Sequence, residues 1–386
     1  MKSPTSRRGF LAAGLAAPAA HALPQAEKDA APKLVYRPLG KTGHNVTRLG
    51  FGCMLASDPA VLERAADMGI NYFDTARAYQ SGNNERMVGA ALKGKRDKIV
   101  LSSKSGALTK EDALRDLDTS LRELGTDHLD IWYLHSKAKP EDVTDDLLEA
   151  QRIAKKAGKI RFAGVSLHFN MQDLIPHLVK RGQTDVILAA YNFTMVPEVG
   201  PAIEAARRAG VGIVAMKVMA GGYARIKRGD RLYGQDPNAL TKRLQAPGAM
   251  IAALKWVWKN QGVDTCIIGM TDFDEVDENV KAMSEPFGDK DATLLAGYLD
   301  AVRPLYCRMC GACDGACPKA LPVAQMLRVL TYADGYGQFA LARERFLELP
   351  AEVRDVRCSD CGTCRVACPN GVDVRNRLIR AQELLA

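Results

Sequence analysis

The sequence predicts an α/β fold, a (β/α)8 or TIM barrel followed by a small all-helical, cysteine-rich domain. Two patterns predict it. From about residue 49 to 283, short apolar runs alternate with longer amphipathic ones. After residue 306, eight of the ten cysteines fall into two near-identical runs.

The strand candidates span 49–54, 71–76, 99–103, 129–135, 162–167, 186–191, 212–219 and 265–270. Helical patterns follow them, for example at 59–68, 84–92, 110–124 and 143–157, with apolar residues recurring every three or four positions. Gly69, Gly125, Gly158 and Gly210 stand where these helices should stop. Eight strands and eight helices over roughly 250 residues make the barrel count. The segment 35–48, centred on Gly40-Lys41-Thr42-Gly43, reads as a hairpin closing the barrel floor. Beyond it, 288–306, 323–332, 339–347 and 374–385 have helical spacing. The expected domains are therefore a barrel over 33–286 and a helical unit over 287–386.

The cysteine runs carry the chemistry of that second unit. Cys307, Cys310, Cys313 and Cys317 form one, and Cys358, Cys361, Cys364 and Cys368 the other. Each is C-x2-C-x2-C-x3-C-P, the bacterial [4Fe–4S] run. A tight loop presents three thiolates, Gly311 and Gly362 relieve crowding, and the proline turns the chain away. In two-cluster ferredoxins the fourth cysteine serves the other cluster. Two [4Fe–4S] clusters follow, one on Cys307, Cys310, Cys313 and Cys368, the other on Cys358, Cys361, Cys364 and Cys317. The unit is thus expected to be ferredoxin-like. Zinc or disulfides are the blander readings, but zinc sites usually pair C-x2-C units across a longer gap. Cys53 and Cys266 lie in strand-like runs and read as ordinary buried cysteines.

The N-terminus reads as an export signal. Ser6-Arg7-Arg8-Gly9-Phe10-Leu11 is a twin-arginine sequence, an Ala- and Gly-rich apolar stretch follows, and Ala20-His21-Ala22 offers a cleavage site. The stretch is too short to span a bilayer. Residues 1–26 are expected to direct the folded chain to the periplasm through the twin-arginine export machinery. A chain that loads its clusters before leaving the cytoplasm protects thiolates that would otherwise pair as disulfides outside.

Composition adds limits. The 386 residues are 47% hydrophobic and 25% charged, ordinary for a globular chain of two domains. The net charge of +8 includes three cations of the signal. Basic runs do not alternate with aromatics, so nucleic acid is not an expected partner. After the signal no run is long enough for a transmembrane helix. Loop 221–245 is basic, with Arg225, Lys227, Arg228, Arg231, Lys242 and Arg243, and reads either as a cover for an anionic ligand or as a solvated insertion.

Polar residues at strand ends point to the active site of the barrel. They are Asp74 and Tyr79 after the second strand, Lys104 after the third and His135 after the fourth. Here the sequence resembles the aldo-keto reductases, in the subgroup with a C-terminal iron–sulfur tail. The matching stretches are Y-R-P-L-G-K-T-G-H-N-V-T-R-L-G-F-G, N-Y-F-D-T-A-R-A-Y, I-V-L-S-S-K-S-G, L-D-I-W-Y-L-H-S and F-A-G-V-S-L-H. The resemblance implies that Tyr79 gives a proton to a carbonyl oxygen. Lys104 would lower the phenol pKa from about 10, Asp74 would hold Lys104, and His135 would orient the carbonyl.

The resemblance also implies nicotinamide contacts at Ser166, Tyr191, Gly269 and Asn279. The match weakens there. Leu167 follows Ser166 where the family usually has Asn, Leu188 stands where Gln is expected, and Met216 replaces a common stacking aromatic. Glu275 would repel the phosphate of NADP. NAD(P)H and a flavin both stay open as the hydride carrier; a flavin would convert hydride to single electrons. The expected function is an exported iron–sulfur oxidoreductase acting on a small-molecule carbonyl or alcohol, with a redox protein as partner. The rival is an electron-transfer protein whose barrel is a docking scaffold.

Overall fold

A computed structural model of the chain describes residues 33–223 and 237–386. The twin-arginine segment, and Arg225, Lys227, Arg228 and Arg231 of the basic loop, lie outside the described residues.

The eight anticipated strands form a closed parallel barrel. They are β3 (Leu49–Gly52), β4 (Tyr72–Asp74), β5 (Val100–Ser105), β6 (Leu129–Lys137), β7 (Ile160–Leu167), β8 (Val186–Ala190), β9 (Gly212–Met216) and β10 (Thr265–Ile268), with β10 returning to β3. Almost every strand residue is buried, as expected for a parallel sheet covered by helices. The ring comprises α1 (Pro59–Asp67), α2 (Asn83–Ala91), α3 (Lys110–Leu124), α4 (Asp145–Lys156), α5 (Met171–Arg181), α6 (Val199–Arg208), α7 (Pro237–Leu244), α8 (Ala249–Lys259), α9 (Phe273–Ala282) and α10 (Asp289–Val302). Side chains cap several helix starts: Asp58, Thr109, Thr144 and Asp272 accept from the backbone N–H of Ala60, Asp112, Leu147 and Glu275.

Strands β1 (Tyr36–Pro38) and β2 (Asn45–Thr47) pair as the expected antiparallel hairpin. Its tip reaches the N-terminal ends of β9 and β10. Lys41 N donates to the Gly210 carbonyl at 2.9 Å, and Gly40 N donates to the Asp264 carboxylate at 3.0 Å. A Cβ on Gly40 would lie 2.3 Å from the Gly212 nitrogen, so this close approach requires glycine. The floor is therefore shut, and ligands must enter from the opposite end.

The tail contains α11 (Val323–Asp334), α12 (Phe339–Leu347), α13 (Ala351–Arg354) and α14 (Val374–Leu385). It has its own core, in which Met326, Val329, Phe346 and Leu385 are fully buried. Helix α10, read from sequence as part of the tail, packs on α7 and α8, and its Tyr298 and Val302 join the barrel core. Trp256 of α8 faces this helix beside Phe287 and Leu294, whereas Trp258 donates its indole N–H to the Arg48 carbonyl at 3.1 Å.

The tail folds back over the open end of the barrel. Asn170 N donates to Met309 O at 2.9 Å, Gln172 Nε2 to Cys310 O at 3.2 Å, and Arg345 Nη2 to Ala78 O at 2.8 Å. Within the tail, Asp334 at the end of α11 pairs with Arg377 at 2.6 Å and Arg380 at 2.7 Å on α14. Asp334 and Arg377 are buried. Removing one partner of such a pair leaves an uncompensated charge, which costs about 3–5 kcal/mol. Asp334→Ala is therefore expected to unfold the tail at lower denaturant while barrel unfolding changes little; coincident, unchanged transitions would show that the pair contributes nothing.

Candidate active site and iron–sulfur domain

Adjacent strands bring the four expected catalytic residues together. Asp74 ends β4 opposite Ser102 of β5, and Lys104 lies two residues further along β5, opposite Tyr133 of β6. The Lys104 ammonium donates to the Asp74 carboxylate, to the Thr75 carbonyl at 2.7 Å and to the Tyr79 hydroxyl at 3.2 Å. It also lies 4.7 Å from the centre of the Tyr79 ring. His135, near the end of β6, meets Tyr79 edge-on with ring centroids 5.9 Å apart. Tyr79 sits on a turn whose next two residues, Gln80 and Ser81, have φ of 49° and 53°. Gln80 is held there by a 2.8 Å bond from its amide to the Ala56 carbonyl.

Burial changes the expected electrostatics. Desolvation raises the Tyr79 pKa, Lys104 opposes it, and the net direction is upward. Lys104 was expected to lower it; Asp74, itself an anion nearby, and the loss of water outweigh that pull. Tyr79 is thus a loaded phenol at neutral pH, with a cation positioned to receive the phenolate when the proton leaves. Burial alone would depress Lys104, but Asp74 and Tyr79 together hold its pKa above the ordinary lysine value. Burial, followed by Lys104, Arg328, Arg345 and Lys217, drives His135 well below the usual imidazole range. The imidazole is therefore neutral and able to donate one hydrogen bond.

These side chains open into a cavity of about 830 Å³. Asp74, Tyr79, His135 and Gly269 line it, and Lys104 reaches it through Tyr79. The roof is made by the tail, with Arg328 and Tyr332 of α11, Tyr336, and Arg345 of α12. Sequence reasoning missed these four, together with His168 and Lys217 of the wall. His168 and Lys217 sit just past β7 and β9, where a polar side chain is a signal; the roof residues had none short of knowing how the tail docks.

The expected nicotinamide contacts are scattered. Only Gly269 borders the cavity. The Tyr191 hydroxyl accepts from Asn260 Nδ2 at 3.0 Å, and its ring lies 5.1 Å from that of Trp256, on the helix side of the barrel. Asn279 is buried within α9. The Ser166 hydroxyl is buried without a partner, whereas Leu188 is fully enclosed. A carboxamide would find one polar partner among apolar neighbours, so these residues fit the nicotinamide end poorly.

The cysteines gather as the spacing predicts, across the two runs. Cys310, Cys313 and Cys368 all act on the Cys307 thiol, and burial is the main reason its pKa rises, to about 12. Cys317, Cys361 and Cys364 likewise surround Cys358, raised to about 11 chiefly by burial. Cys317, Cys358, Cys361 and Cys364 also border one small cavity. All ten cysteines are free thiols, so the disulfide reading is set aside. Among the described residues no three His, Cys, Asp or Glu side chains converge on a point fit for a single ion. A cubane carries its irons at separate corners, so its thiolates need not meet at one. The donor set of four thiols in each group fits a [4Fe–4S] cluster. Neighbours already donate to the sulfurs: Met309 N to Cys307 and Asn370 Nδ2 to Cys310, both at 3.3 Å. At Gly311, with φ of 77°, a Cβ would lie 1.8 Å from the Asn170 side chain; crowding comes here from the barrel. A Cβ on Gly362 would meet no protein atom.

An eight-stranded parallel barrel with its chemistry at the strand ends, roofed by a cysteine-rich helical unit, defines an oxidoreductase of barrel type. The Aldo/keto reductase family matches residues 55–299, and a 4Fe-4S dicluster domain matches residues 306–373. The chain belongs to the aldo/keto reductase family. It is 26% identical over 287 residues to L-galactose dehydrogenase of Arabidopsis thaliana, covering 66% of this chain and 89% of the relative. It is 26% identical over 329 residues to the NADH-specific methylglyoxal reductase of Escherichia coli, covering 69% and 98%. Among solved structures, the aldo-keto reductase AKR11C1 from Bacillus halodurans in its holo form matches with a TM-score of 0.58 at 27% identity, covering 69% of this chain and 96% of that one. Family members typically use NAD(P)H. Among the described residues no helix is long and apolar enough to cross a membrane.

The mouth has a consequence for stability. His168 is also driven well below the usual range, first by burial and then by Lys217 and Arg328. Both imidazoles are neutral when folded, so the unfolded chain, titrating near pH 6.5, binds more protons below that value. Their contribution is present above about pH 6.5 and is lost as pH falls through it. Urea midpoints are expected to drop between pH 7 and 5, with a shallower drop in His168→Asn; identical pH slopes in variant and wild type would remove this origin.

Proposed function

We propose that the protein is an exported iron–sulfur oxidoreductase that interconverts a carbonyl and an alcohol, with electrons relayed by two [4Fe–4S] clusters. One observation carries the relay. Cys307 shares a small space with Lys217, Tyr332 and Tyr336, and these three residues also line the large cavity that Tyr79 and His135 face. A single layer of side chains thus separates the first cysteine group from the reaction chamber. Bound clusters would supply electrons singly, and a carbonyl takes up two electrons and two protons: Tyr79 gives the proton on oxygen, while the hydrogen on carbon would come as hydride from a flavin that collects both electrons and a solvent proton. Cys307, Cys310, Cys313 and Cys368 would hold the cluster next to the barrel, and Cys358, Cys361, Cys364 and Cys317 the outer one, nearer a redox partner protein.

The barrel residues handle the substrate. His135 donates a hydrogen bond to the carbonyl oxygen and orients it. Tyr79 delivers its proton to that oxygen as negative charge develops there. Lys104 stabilises the phenolate left behind, and Asp74 fixes Lys104 by a buried ion pair. The tail helices cover part of the chamber, and the burial they give Tyr79 and His135 strengthens each of these interactions. Export to the periplasm through the twin-arginine machinery is supported by Arg7-Arg8 and the apolar stretch after them. The poor nicotinamide fit supports the same reading, because reducing equivalents that arrive through the tail need no soluble nicotinamide. That poor fit is also what favours the rival, a barrel that serves only as a docking scaffold.

The two are separated by Tyr79→Phe. The variant is expected to keep its iron, sulfide and reduced paramagnetic signal while carbonyl reduction by the dithionite-reduced protein falls by about 10²–10⁴-fold, the usual worth of a general acid. Undiminished reduction would discard the acid assignment, and intact electron delivery to a partner with no carbonyl turnover in wild type would favour the scaffold.

A further inference from the structure

The roof of the chamber carries Arg328 and Arg345 above Lys217 of the wall, with Glu348 as the roof's carboxylate. Lys217 follows β9 and Arg328 projects from α11. The Lys217 ammonium lies 5.7 Å, and the Arg328 guanidinium 5.6 Å, from the centre of the same Tyr332 ring. Arg328 donates to the Tyr332 hydroxyl at 2.6 Å. Among the described residues neither cation has a carboxylate partner. Arg345 of the same roof is paired with Glu348 at 2.6 Å, and Lys104 behind Tyr79 with Asp74. Among the described residues the buried Arg328 Nε–H finds no acceptor either.

A second observation lies directly below. His168 is only 5% exposed and lines the chamber, yet among the described residues neither of its ring nitrogens has a hydrogen-bond partner. Its ring stands 5.7 Å from that of His135, the residue placed to orient the carbonyl. A buried imidazole without partners costs free energy unless something in the chamber satisfies it. Two uncompensated cations and an unsatisfied donor around one space make a preformed oxyanion site, and a guanidinium suits a carboxylate through paired N–H groups.

We propose that Lys217, Arg328 and His168 form a subsite for a carboxylate carried by the substrate, so that the enzyme acts on oxo acids or the matching hydroxy acids. The proposal rests on the carbonyl reading given above. The carboxylate lies within a few bonds of the reacting carbon, because the His168 ring stands 5.7 Å from that of His135. The site is split between the two units: the barrel supplies Lys217 and His168, and the tail supplies Arg328. It is complete only when the tail is docked.

Calorimetric titration of the anaerobic, cluster-loaded full chain tests the assignment, with oxalate as the carboxylate probe and inorganic pyrophosphate as a probe for a nucleotide source. Oxalate is expected to bind saturably, and Lys217→Met and Arg328→Gln each to weaken it at least about tenfold, equal to about 1.4 kcal/mol. Arg86→Gln, on the far outer surface of α2, should leave it unchanged. Tyr79→Phe should retain oxalate binding while losing carbonyl turnover: an active Tyr79→Phe overturns the carbonyl reading alone, whereas oxalate binding untouched by the cation substitutions overturns the subsite alone. Absent oxalate binding, equal binding in wild type and the two cation variants, or cation-dependent binding of pyrophosphate alone would each overturn the substrate carboxylate. His168→Asn, which leaves both cations in place, guards against loss of fold and should weaken oxalate while preserving the cluster absorbance.

Discussion

The seating of α11 across the open end of the barrel is the constraint on which the remaining features depend. Polar contacts at Asn170, Gln172, Asn192 and Ala78 tie the tail to the mouth. The Asp334 pairs then fix α11 to α14 from behind. With the helix in that position, Tyr332 and Arg328 close the chamber and Cys307 comes to stand behind them. Without it, Lys217 and His168 would lose the cover that Arg328 and Tyr332 provide. The fold thus builds one reaction space from two units, each with its own core.

Much of this was legible in the sequence, for physical reasons that differ from part to part. The strands were legible because a parallel barrel buries both faces of each, leaving short continuous apolar runs such as 186–190. The helices were legible through their 3.6-residue period, and α3 and α12 begin and end where that period does. The cysteine groups were legible because cluster loops fix spacing tightly. Asp74, Lys104 and His135 were legible because consecutive strands place them side by side.

The rest depended on three-dimensional placement. Tyr79 has an elevated pKa, opposite to expectation, because the depth at which Lys104 and Asp74 are buried cannot be read from their identity. Arg328 and Tyr332 belong to a helix that looks like any amphipathic segment; only its docking turns that face toward chemistry. Tyr191 shows the converse: it stands at the right strand end, but its hydroxyl is engaged by Asn260 on the outer side.

The pairing of the cysteines has a structural corollary. Each sulfur group takes its last member from the opposite run, so Cys317 and Cys368 are exchanged across α11, α12 and α13. The two loops therefore complete each other's sets of thiols. A chain ending short of residue 368 would lack the fourth thiol that stands beside Cys307, Cys310 and Cys313.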